Sequence, residues 1–105
     1  MPGTMAAAGI VAAAAILTTG LATVGAASVA GQRLASAADA AALAAADAAS
    51  GAVAGIPCDR ADEIAGTYGG ALEACELDEL VATITVSIRL GPVVARASAR
   101  AGPPG

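Results

Sequence analysis

Histidine, lysine, tryptophan and phenylalanine are absent from this 105-residue chain, and Tyr68 is its only aromatic residue. Those missing rings are the usual material of a large apolar core and of base-stacking surfaces, so any soluble core is expected to be thin. Without histidine or lysine, general-base and Schiff-base chemistry have few candidates, and no enzymatic activity is expected. Positive charge is scarce too, with five arginines against nine carboxylates and a formal net charge of -4. Nucleic-acid binding is driven by clustered positive charge, so no nucleic-acid partner is expected. Gly69-Gly70 lacks a following lysine and does not make a phosphate loop. Glu73 and Glu76 stand three apart in an alternating segment, and simple alternation assigns them to opposite faces. No cofactor is expected.

Charge is also missing by position. The first 32 residues carry no ionisable side chain, and every charge lies from Arg33 onward. Within that uncharged stretch, "MAAAGIVAAAAILTTGLATVGAASVAG" (Met5 to Gly31) is long enough as a helix to cross a hydrocarbon layer, which needs about 20 residues. Alanine contributes little to insertion, so the drive rests on Ile10, Val11, Ile16, Leu17, Leu21, Val24 and Val29. Residues 1–31 are therefore expected to be a transmembrane segment. Gly9, Gly20, Gly25 and Ser28 are small residues of the kind that let membrane helices approach closely. The competing reading is a secretory signal, because Ser28-Val29-Ala30 before Gly31 has the small-residue look of a cleavage site. It would release a secreted, disulfide-stabilised binding protein. Against it, the apolar run exceeds the roughly 7 to 15 residues usual for such signals.

What is abundant is alanine, 33 residues in all. From Gln32 to Ser50, "QRLASAADAAALAAADAAS", it confers helix propensity at nearly every position. Leu34 and Leu43 are nine residues apart, half a turn out of phase, and form no common stripe. Residues 32–50 are thus expected to be a smooth helical extension whose alanine faces pack against partner helices, a homo-oligomer included, with Asp39 and Asp47 keeping it in water.

Gly51, Gly55 and Pro57 end this helix and open a small domain over residues 51–105. A short helix over "DRADEIAGTY" is expected, capped by Asp59 and closed by Gly69-Gly70. The period then changes to two. "ALEACEL", "VATITVSIRL" and "VVARASARA" read as strands, the last two joined at Gly91-Pro92, and the tail "GPPG" as irregular. The predicted class is α+β: a long N-terminal transmembrane and alanine-rich helix, then a short helix and a small three-stranded antiparallel sheet pinned by one disulfide.

Cys58 and Cys75 are the only cysteines, with sixteen residues between them. Their number and placement suit a structural disulfide. Two thiolates without histidine cannot complete a four-ligand metal shell, so no metal site is expected. A disulfide implies an oxidising space, which assigns the C-terminal domain to the outside of the cell membrane. Arg33, flanking the apolar run on that side, argues weakly for the reverse orientation.

An apolar N-terminal segment running into "QRLASAADAAALAAADAASG" resembles the membrane-proximal signature of TadE/TadG-like pilus-assembly proteins, with the matching core at Ala37, Ala38, Asp39, Ala40, Ala41, Ala42, Leu43, Ala44, Ala45 and Ala46. The downstream order of Pro57-Cys58, Gly69-Gly70, Cys75, "VATITVSIRLG" and "ARASARAGPPG" is similar to that of the actinobacterial helicase/secretion neighbourhood TadE-like proteins. That resemblance implies a single-pass, pseudopilin-like component of a Flp/Tad-type pilus or a type II/IV-like secretion system. Its implied partners are other TadE/TadG-like, pilus or secretion proteins, and it carries over no catalytic residue. The chain departs from the pattern for pilin-type processing, because Ala8 stands five residues beyond Gly3 where a glutamate is usual.

Overall fold

The computed structural model describes residues 2–104 of the chain. Its elements are α1 (Pro2–Ser50), α2 (Pro57–Thr67), β1 (Ala71–Asp78), β2 (Val81–Leu90) and β3 (Val93–Ala101). The class is α+β as the sequence predicts, with a three-stranded antiparallel sheet in the order β1-β2-β3 and a Cys58–Cys75 disulfide. Observed β2 and β3 coincide with the segments expected from the alternation of apolar and polar residues.

The chain divides into two compact units, Met1–Gly31 and Gln32–Gly105. Residues 32–50 and 51–105 therefore fall in one unit. The alanine-rich half of α1 belongs to the same unit as the sheet because its small side chains build that unit's core. Leu34, Ala37, Ala38, Ala41, Ala42, Ala45 and Ala46 are buried in one cluster with Ala61 and Ala65 of α2 and Ala82, Ile84 and Val86 of β2. Ala95, Ala97, Ala99 and Ala101 of β3 pack against the same cluster. Nine of the twelve residues in this cluster are alanine, so the core is thin, as the lack of aromatic side chains predicts.

Helix α2 begins at Pro57, with Ile56 in the cap position and no side-chain cap hydrogen bond. Asp59 lies in the first turn and does not cap it, contrary to the sequence expectation. Proline in the first helical turn has its φ preset and no N–H to satisfy, so the start needs no side-chain acceptor there, and Asp59 contributes through the helix dipole. At the other end the Gly70 amide donates to the Ala65 carbonyl at 2.9 Å while Gly69 takes φ +78°.

The inner face of the sheet is set by β2, whose Ala82, Ile84 and Val86 are fully buried. Cys75 stands opposite Ile84 and Leu72 opposite Val86, so both face inward. Inward positions three apart on one strand require an irregularity, and the register shifts between Leu72 and Ala74, where Glu73 is the extra residue.

Candidate functional site

Four features carry the chemistry that the fold makes available. In the first compact unit, the apolar side chains of α1 have no protein around them: Ile10 is 71% and Leu21 72% exposed. This helix is long and apolar enough to cross a membrane. Three of its threonine hydroxyls are satisfied by the helix itself. Thr18 donates to the Ala14 carbonyl at 2.8 Å, Thr19 to Ala15 at 2.9 Å and Thr23 to Thr19 at 2.9 Å. Each such bond removes a hydroxyl donor that would otherwise be unpaired in hydrocarbon. A Cβ at Gly9, Gly20 or Gly25 would meet nothing within 4 Å, so the notches remain open to a neighbour.

In the second unit, the structure places the expected packing motif. Ala37, Ala38, Ala41, Ala42, Ala45 and Ala46 are buried in the chain's own core; Asp39 and Leu43 are exposed, and Ala40 and Ala44 are half-buried. The buried set falls at i, i+3, i+4, i+7 and i+8 from Leu34, the spacing of a single helical stripe. A search for large residues misses it, since Leu43 lies off the stripe at 57% exposure. Its mark in the sequence is the complementary series Asp39, Leu43, Asp47 on the exposed face. The partner surface expected for these alanines is thus the chain's own sheet and α2.

The cysteines are joined as expected, with a Cα–Cα distance of 5.9 Å. Cys58 lies in the first turn of α2 and Cys75 on the inner face of β1, so the bond holds the helix start to the strand. No group of three or more metal-ligating side chains occurs among the described residues.

The fourth feature was not anticipated from sequence. Because Glu73 is the bulged residue, it lies on the outer face, where its carboxylate accepts a hydrogen bond from Nε of Arg96 across β2. Glu76, opposite Thr83, lies on that same outer face. Strict alternation separates the two glutamates; the extra residue brings them together. Thr85 and Ser98 share a hydrogen bond of 2.7 Å nearby. At the Gly69 end of this face a cleft of about 380 Å³ is lined by Gly69, Gly70, Ala71, Glu73, Ser87, Arg89, Val94 and Arg96. Two guanidinium groups and a hydroxyl therefore face one carboxylate. The arrangement suits oxyanion binding. The sequence signal is the period of two: Ser87 and Arg89 share one face of β2, Arg96 and Arg100 share one face of β3, and the Ser87–Arg96 pairing puts both sets on the outer face.

No protein-family model, curated protein or solved structure matches the chain.

Proposed function

We propose that the chain is a membrane-anchored, non-enzymatic, TadE-like pseudopilin component of a Flp/Tad-type pilus-assembly or type II/IV-like secretion system. The observation that carries this reading is the continuity of α1. One helix runs from an uncharged, apolar and exposed first half into the alanine stripe around which the disulfide-closed unit is built. The first half anchors, the disulfide indicates an oxidising space, and the second unit works outside the cell membrane. Lateral contacts to TadE/TadG-like or other pilus and secretion proteins then fall to the open glycine notches of the first half, because the alanine stripe is occupied internally.

The test is fractionation of cells producing the intact chain, followed by alkaline extraction and protease accessibility of residues 51–105 from outside. Recovery with integral membrane proteins, with cross-links to pilus or secretion components, supports the proposal. Recovery as soluble cytosolic protein rules it out.

A second reading is favoured by one observation. The second compact unit starts at Gln32, and all its buried core residues lie from Leu34 onward. Cleavage after Ala30 would leave that core whole and release a secreted binding protein. N-terminal sequencing of the extracellular product separates the two, because a chain beginning at Gly31 belongs to the second reading.

A further inference from the structure

The two hairpins of the sheet are built alike but marked differently. Each is a two-residue connection, Glu79-Leu80 between the paired Asp78 and Val81, and Gly91-Pro92 between the paired Leu90 and Val93. The first residue of each adopts a left-handed conformation, Glu79 at φ +57° and Gly91 at φ +63°. Glycine takes that conformation without strain; a glutamate there carries a steric cost. Glu79 is the only described residue other than glycine with positive φ. Backbone strain retained at an exposed tip, where any residue fits, points to a use for the side chain.

The opposite end of the sheet holds the complement. Along β2, Arg89 lies eight residues beyond Val81, roughly 26 Å at 3.3 Å per residue. There Ser87 and Arg96 are cross-strand partners, and Arg89 lies two residues further along the same face. Glu73 compensates Arg96. Arg89 has no ion-pair partner among the described residues, so the cleft is left with one positive charge in a chain whose net charge is -4. At the other end, Glu76 shares a register row with Thr83 and Arg100, leaving Asp78 and Glu79 uncompensated at the tip. Apolar groups match as well, since Leu80 at the tip is 42% exposed and Val94 in the cleft 39%. The tip thus offers two carboxylates and a leucine, and the cleft a free arginine, a serine hydroxyl and a valine.

From this complementarity we propose that the cleft formed by Ser87, Arg89 and Arg96 receives the Asp78–Glu79 hairpin tip of a second copy of the chain. The Glu79 carboxylate takes the Arg89 guanidinium in a charge-assisted pair, and Leu80 packs on Val94. The two surfaces are different patches on one molecule, so the contact is head-to-tail and can repeat along a row of copies. It concerns only the second compact unit and stands under either reading of the first.

The test uses the intact chain in detergent micelles with benzoylphenylalanine at position 80. Photo-cross-linked peptides are mapped by mass spectrometry, so association through the apolar half of α1 gives no false signal. Expected are cross-links from position 80 to Val94 or to Gly69–Ala71, lost in Arg89→Glu, lost in Glu79→Arg, and regained when both substitutions are combined. Arg100→Glu should leave the yield unchanged. Glu79→Gly should raise Tm by relieving the left-handed glutamate and still lower the cross-link yield about tenfold, the size of one favourable charge contact; a purely structural Glu79 would leave the yield unchanged. Far-UV circular dichroism and the intact disulfide mass confirm folding of each variant. The proposal is overturned by absence of cross-links, by cross-links to any other surface, by their persistence in the single charge reversals, or by failure of the folded double variant to restore them.

Discussion

Cys58, in the first turn of α2, is bonded to Cys75, which stands opposite fully buried Ile84 on the inner face of the sheet. The link joins an element that buries only Ala61 and Ala65 to the centre of the core. Its sequence separation is 17, for which restriction of the unfolded chain is worth about 3 kcal/mol. The Cys58→Ala/Cys75→Ala double variant should therefore lower the urea midpoint of the second unit strongly, and reduction of the parent chain should do the same. Equal midpoints with and without reductant would sink this assignment.

The alanine stripe makes an opposite demand on volume. Ala41, Ala42 and Ala45 are fully buried, so enlarging any of them to leucine must push the helix away from its neighbours. Each of Ala41→Leu and Ala45→Leu should cost about 1–3 kcal/mol in chemical unfolding. Leu43→Ala, on the exposed face, should change stability by less than about 0.5 kcal/mol. A leucine tolerated at 41 without loss would mean that the stripe is not packed as described.

Gly70 tests the junction between α2 and β1. A Cβ built there would sit 2.9 Å from the Ser87 carbonyl oxygen and 2.9 Å from Cγ1 of Val86, closer than real contacts allow. Gly70→Ala should destabilise by about 1–3 kcal/mol, whereas Gly66→Ala, with nothing within 4 Å, should not. Thermal unfolding of the two variants side by side measures the difference.

In the first half of α1, Leu17 and Leu21 are among the exposed apolar side chains on which membrane insertion would rest. Replacing Leu17 by arginine should add about 2.5–3.5 kcal/mol to the apparent insertion free energy, enough to defeat a span so rich in alanine. Glycosylation-tagged insertion assays should then show the variant mostly uninserted, with Ala13→Leu shifting the balance the other way. Undiminished insertion of the arginine variant would argue against a bilayer-centred span.

Glu73 and Arg96 form an exposed ion pair, with side-chain exposures of 34% and 58%. Solvent screening keeps such a pair below about 1 kcal/mol. Glu73→Gln should leave the unfolding midpoint nearly unchanged at physiological ionic strength.

Much of this molecule is legible in its sequence, because the controlling signals are local. An uncharged first stretch, an alanine run of high helix propensity, Gly51 and Pro57 as punctuation, and the two-residue period of β2 and β3 each act over a few residues. The elements they specify are the elements found. Two cysteines leave one possible intramolecular pairing.

Three things needed the tertiary structure. Which alanines are buried depends on which face of the helix meets the sheet, and identical side chains carry no mark of that choice except through the exposed Asp39, Leu43 and Asp47. The bulge at Glu73 arises from fitting β1 to β2 while both Leu72 and Cys75 face inward, a constraint that exists only once the strands pair. The cleft at Ser87, Arg89 and Arg96 results from the β2–β3 register, which brings distant residues into one row. Sequence alone determined the elements and the disulfide, since propensity, charge and residue count act along the chain. Tertiary structure decided the faces, the register and the polar cleft, since these depend on which surfaces meet.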